Sequence, residues 1–69
     1  MKINQLKQLL NKYQSISAIW RNQDFDLPIE IVGLAGKDKQ NHVYVAVEGS
    51  NSGVPFREIV FSKEYLENL

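Results

Sequence analysis

Between Pro28 and Phe61, three apolar runs alternate with polar, glycine-bearing stretches, the layout of consecutive antiparallel strands joined by turns. The firmest run is 42–48. A period of two puts Val43, Val45 and Val47 on one face and His42, Tyr44, Ala46 and Glu48 on the other, so the valines are expected to face a core. The preceding strand is predicted over 28–35, with Ile29 and Ile31 opposite Glu30, Val32 and Leu34. Pro28, which has no N–H to donate, is expected at its first position or on an edge. Residues 35–41 and 49–53 read as the two turns. Over 54–61 the alternation fails: Val54, Phe56 and Val60 share a side with Glu58, and Ile59 and Phe61 share one with Pro55 and Arg57. A bend or short helical turn near Arg57–Glu58 lets Phe56 and Ile59 both point inward, as in small closed barrels.

Upstream, Ile3, Leu6, Leu9, Leu10 and Tyr13 form one stripe of a helix predicted over 4–13, with Asn4 as its N-cap and Lys12 complementing the dipole at the other end. Some ten residues make a marginal helix in isolation, so the leucine stripe is expected to close over the sheet. A further strand is predicted over 16–21, with Ile16, Ala18 and Trp20 opposite Ser17, Ile19 and Arg21. Both of its faces carry bulk, which places Trp20, with its amphipathic ring, at a rim. Residues 22–27 read as a polar loop in which Phe25 either plugs the core from outside or meets a partner. Ser62 is a good cap for a last turn or short helix, with Glu64 in its first turn and Tyr65, Leu66 and Leu69 on one face. The predicted fold is therefore α+β, an N-terminal helix followed by a small antiparallel sheet of four to five strands, with an SH3-like barrel as its expected form and an open four-stranded sheet as the alternative.

Composition narrows the function classes. A single domain of 69 residues buries only about 60% of the surface of its unfolded chain, so the core is small. Without cysteine it has neither a disulfide nor a cysteine-based zinc site. Eight basic and eight acidic residues cancel, so no net field draws it to nucleic acid or anionic lipid. Polar residues Asn4, Gln5, Lys7 and Gln8 stand where a secretory signal would be apolar, and no run is long enough for a bilayer span, so the cytoplasm is the expected compartment and no membrane partner is expected.

Chemistry is sparse. Gly33–Asp38 has two residues between its glycines, where a phosphate-binding loop has four, and Asp38 follows Lys37 where that loop has Ser or Thr. Asp24, Asp26 and Asp38 lack the ligand pattern of a calcium loop. His42 is the sole histidine, and nothing in the spacing puts Ser17, Ser50 or Ser52 beside it. No catalytic residue, cofactor or metal is predicted.

The order of a helix and then short strands resembles the SH3-like barrel group. More loosely it resembles the Sm-like RNA-binding proteins, on Ile31–Asp38 leading into Val43–Val47, with Ile59–Phe61 as a closing strand. Asp24–Pro28 stands where that pattern has a glycine-containing strand, and no RNA contact is carried over. The leading functional expectation is a non-catalytic protein-interaction module anchored by Trp20, Phe25 and Tyr44, with Arg21 and Arg57 at the rim, because aromatics and arginine dominate binding hot spots. The alternative is single-stranded nucleic-acid binding by the same aromatics with Lys37 and Lys39. Self-association through an exposed edge strand is a third expectation.

Overall fold

The computed structural model describes residues 1–67. Its elements are a helix α1 (Ile3–Lys12), strands β1 (Ile16–Arg21), β2 (Asp26–Lys37), β3 (Val43–Val47) and β4 (Val54–Pro55), a 3-10 turn (Phe56–Glu58), β5 (Ile59–Phe61) and a short helix α2 (Lys63–Glu67). All strand pairs are antiparallel, and the order across the sheet is β4-β3-β2-β1-β5. The α+β expectation is met with five strands. Closure into a barrel is not reached, because β4 and β5 are the two unpaired edges.

The sheet is nonetheless strongly curled, for a reason of chain length. In a flat five-stranded sheet the outer strands would lie roughly 19 Å apart, four spacings of about 4.8 Å. Three residues of 3-10 helix advance only about 6 Å, and that turn is the whole link between β4 and β5. The two edges must therefore bend toward each other. Two register shifts in β2, between Ile31 and Gly33 and between Leu34 and Gly36, supply local bends. Gly36 sits at the second with φ +103°, backbone that a side chain disfavours.

One core fills the curl. Leu6 and Leu9 from α1 cluster with Ile16, Ala18, Ile29, Ile31, Val45, Val47, Val54 and Ile59 from the strands. The predicted valine face holds for Val45 and Val47, while Val43 is only half-buried. The break predicted in 54–61 is the 3-10 turn, which turns Ile59 into the core and leaves Phe56 packed against its margin.

Three local expectations are corrected. Helix α1 starts one residue earlier than predicted, and Lys2 rather than Asn4 occupies the cap position. Lys2 has no side-chain acceptor to offer; instead Gln5 Oε1 accepts from the Lys2 amide at 2.7 Å. The segment predicted as a loop through Leu27 already belongs to β2 at Asp26, which puts Pro28 inside a strand flanked elsewhere by two neighbours. Proline is tolerated there because β3 pairs with β2 only from Ile31 onward, so Pro28 has β1 on one side and, among the described residues, no strand on the other. The C-terminal expectation holds at its start, where Ser62 Oγ accepts from the Glu64 amide at 3.2 Å. Tyr65 then packs edge-on against Tyr13 with ring centres 5.5 Å apart, Leu66 is exposed, and Leu69 lies outside the described residues.

Gly53 marks a tight approach. A Cβ there would meet Tyr44 Cβ at 3.0 Å and Ala35 Cβ at 3.2 Å. Gly53→Val is expected to destabilise by about 1–3 kcal/mol through overpacking, read as a lower urea midpoint at unchanged slope.

Candidate functional site

The β1–β2 hairpin is closed by Asn22. Its Oδ1 accepts from the amides of Asp24 (2.8 Å) and Phe25 (3.1 Å), while its own amide donates to the Phe25 carbonyl at 3.1 Å. Only Gln23 and Asp24 then lie between the closing pair, and Phe25 is held at the mouth of the hairpin. Its ring meets Trp20 edge-on, with centres 5.0 Å apart and planes at 90°. Trp20 packs against the core margin and is half-buried, whereas Phe25 is 41% exposed. The indole Nε1–H donates to Glu58 Oε1 at 2.9 Å, tying the hairpin to the end of the 3-10 turn.

Arg21, on the opposite face of β1, donates through Nε to Asp26 Oδ1 at 2.9 Å across the register pair they form. The hydrogen bond and charge of Asp26 push the guanidinium pKa up. Arg57 is exposed one residue before Glu58. These contacts gather Trp20 and Phe25, with Glu58 holding the indole and Arg57 next to it in the chain.

Tyr44 stands elsewhere, opposite Pro55 across β3 and β4 and half-buried. Among the described residues it has no aromatic ring partner. Its hydroxyl donates to Asp38 Oδ2 at 3.3 Å. Asp38 organises the β2–β3 turn: Oδ1 accepts from the amides of Gln40 (2.8 Å) and His42 (2.9 Å), and Oδ2 also lies 3.1 Å from His42 Nδ1. Asn41 completes this turn in left-handed backbone, φ 65°. Lys37 and Lys39 flank Asp38 and are exposed. The proposed anchors thus fall at two places, the Trp20–Phe25 pair and the Tyr44 turn, joined along the chain by Pro55 and the 3-10 turn.

The His42 amide hydrogen bond leads in holding the Asp38 carboxyl below its ordinary pKa of 3.8, helped by the Gln40 amide and the His42 ring. A depressed carboxyl stabilises the fold above its unfolded pKa, and that contribution is lost as pH falls through the lower folded value. Amide-exchange protection of Gln40 and His42 is therefore expected to persist at neutral pH and to fall on acidification below about pH 4, with Asp38→Ala abolishing the dependence.

Among the described residues no group of three or more His, Cys, Asp or Glu side chains is placed to hold a metal ion, and no helix is long and apolar enough to cross a membrane. His42 engages Asp38, while Ser50 and Ser52 hydrogen-bond each other. Glu58 is the partner the sequence reading missed. It lies 38 residues from Trp20, and its only signal was its place on an otherwise apolar side of a strand whose alternation failed. No protein-family model matches the chain, and no curated protein or solved structure shows significant similarity to it.

Proposed function

We propose that the chain is a small, non-catalytic protein-interaction module, an open form of the SH3-like barrel that meets its partner at the β1–β2 hairpin end. The strand order, with a single 3-10 turn between the last two strands, supports the barrel reading. The observation that carries the binding reading is the Trp20–Phe25 pair: one ring braced by Glu58 and the core, the other set against it and 41% exposed. A pre-ordered aromatic loses little conformational freedom on binding, and exposed Arg57, next to Glu58, is of a residue type enriched in hot spots. Nucleic acid is the weaker reading, because Asp38, favoured in its ionised form by its donors, sits between Lys37 and Lys39 and offsets the charge that phosphates would need.

Selection of ligands from a random peptide display library on the folded domain tests this reading. Phe25→Ser and Arg57→Ala are expected to weaken selected ligands by about tenfold or more each. Ligands indifferent to both substitutions, or a library that yields none, would refute it.

A further inference from the structure

The outer face of the sheet carries a second feature that the Trp20–Phe25 pair does not explain. Register places Ser17 opposite Glu30, and Ile19 opposite both Pro28 and Val60, so these five residues share the face turned away from the core. They form part of the lining of an open concavity of about 900 Å³, which also reaches core-facing Ala18, Ile29 and Val47 and runs from β5 across β1 and β2 to the Glu48–Ser50 turn. Pro28 is exposed and Val60 is 41% exposed.

Beside this concavity β2 has a free edge. The Glu30 carbonyl accepts from the Glu48 amide at 2.9 Å, so even-numbered residues of this part of β2 aim their backbone groups away from β1. The Phe25 carbonyl, odd-numbered, bonds Asn22 on the β1 side, as that alternation requires. Because β3 pairs only from Ile31 and Glu48 already sits beside Glu30, it is the N–H of Asp26 and the carbonyls of Asp26 and Pro28 that face no strand among the described residues. Leu27, which points to the other face at the same place, is 47% exposed. An incoming strand would satisfy the backbone groups and cover Leu27 with one set of its side chains.

Charge selects the occupant. Among the described residues, the only charged ones lining the concavity are two carboxylates, Glu30 and Glu48, which adjoin each other across β2 and the end of β3. Ser17 Oγ donates to Glu30 and holds it in place. A second copy of the chain related by a twofold axis would bring four carboxylates to one interface, whereas cationic side chains would pair with them. We propose that residues 26–29 of β2 accept an extended segment of a partner protein as an added strand, with apolar residues alternating with lysine or arginine. The proposal rests on the interaction-module reading and assigns it a second surface and a ligand chemistry.

The test uses two acetylated, amidated heptapeptides, one alternating valine with lysine and the other valine with glutamate, titrated into the full chain and followed by backbone amide NMR. The lysine peptide is expected to shift amides within 26–30 and 47–50, to bind more weakly as salt rises, and to lose about tenfold in affinity to the Glu30→Gln/Glu48→Gln double variant. Glutamine keeps an acceptor for Ser17, and an unchanged amide spectrum of the free variant confirms its fold. Phe25→Ser is expected to leave this binding unchanged. Failure of the lysine peptide to bind, equal binding of the glutamate peptide, or indifference to the double variant would overturn the proposal. Sedimentation showing a dimer that Ile19→Glu dissociates would assign the face to a second copy and overturn it equally. Library-selected ligands lost in Phe25→Ser would leave the module reading standing in each case.

Discussion

Ile31→Ala is expected to leave much of the protein unfolded near 37 °C. Ile31 has no exposed surface and is the residue where β2 is paired on both sides, opposite Ile16 in β1 and Val47 in β3. Truncating a buried isoleucine costs about 2–5 kcal/mol, the lost transfer energy plus the cavity left behind. A fully buried site gripped by two strands has little room to collapse, which argues for the middle of that range. A domain of this length has a total stability of roughly 3–10 kcal/mol. A loss of about 3 kcal/mol lowers the melting temperature by roughly 12–24 °C, at 4–8 °C per kcal/mol. Thermal unfolding by circular dichroism reads this directly. Val32→Ala, one residue along on the exposed side, is the control and is expected to change stability by no more than about 0.5 kcal/mol. Equal effects of the two substitutions would mean that the inside and outside of the sheet are wrongly assigned.

Trp20→Ala is expected to have the second-largest effect on stability and the largest on the proposed binding surface. The substitution removes packing at the core margin, leaves the Phe25 ring without its edge-on neighbour, and deprives Glu58 of its donor. Fully buried tryptophans cost about 3–5 kcal/mol on truncation, and the half-exposed position of Trp20 puts it at or below the lower end. Trp20→Phe separates the contributions. It keeps most of the apolar contact and loses only the N–H to Glu58, for which about 1.5–3 kcal/mol is the range of a hydrogen bond to a charged group, reduced here by partial exposure. Glu58→Gln, which keeps an acceptor, is expected to cost less than Trp20→Phe. Urea unfolding of the three variants orders them, and since Trp20 is the only tryptophan, its emission in Glu58→Gln also reports whether the indole has shifted toward water.

How legible this fold was depended on whether the governing interaction was local. The leucine stripe of α1 and the valine alternation of β3 were plain because each is a repeat that only one secondary structure can bury. The 3-10 turn was readable from a failure, the broken alternation across Phe56, Glu58 and Ile59. Pro28 was expected at a strand's start or on an edge, and the edge is where it lies, because β3 stops short of it; only the start of β2, at Asp26, was missed. Asn4 looked like a cap, but the Gln5 side chain satisfied the amide of Lys2 and moved the boundary. At the candidate site, Trp20 and Phe25 were singled out by type, yet their edge-on contact depends on the two-residue turn that Asn22 makes. Tyr44 could not be told apart from them in sequence, although its hydroxyl belongs to the Asp38 turn. The outer concavity was foreshadowed only by bulk on both sides of β1, where Ile19 shares a face with Ser17 and Arg21.

The placement of β5 beside β1 has a consequence for biosynthesis. β1 gains its second neighbour only when Ile59–Phe61 has been made, more than forty residues after its own Ala18. Until then a nascent chain carries β1 as a bare, sticky margin, and such margins recruit other chains. A ribosome that stalls or a protease that clips ahead of Ile59 would release a fragment built to clump, so the last strand acts as the molecule's own guard against aggregation.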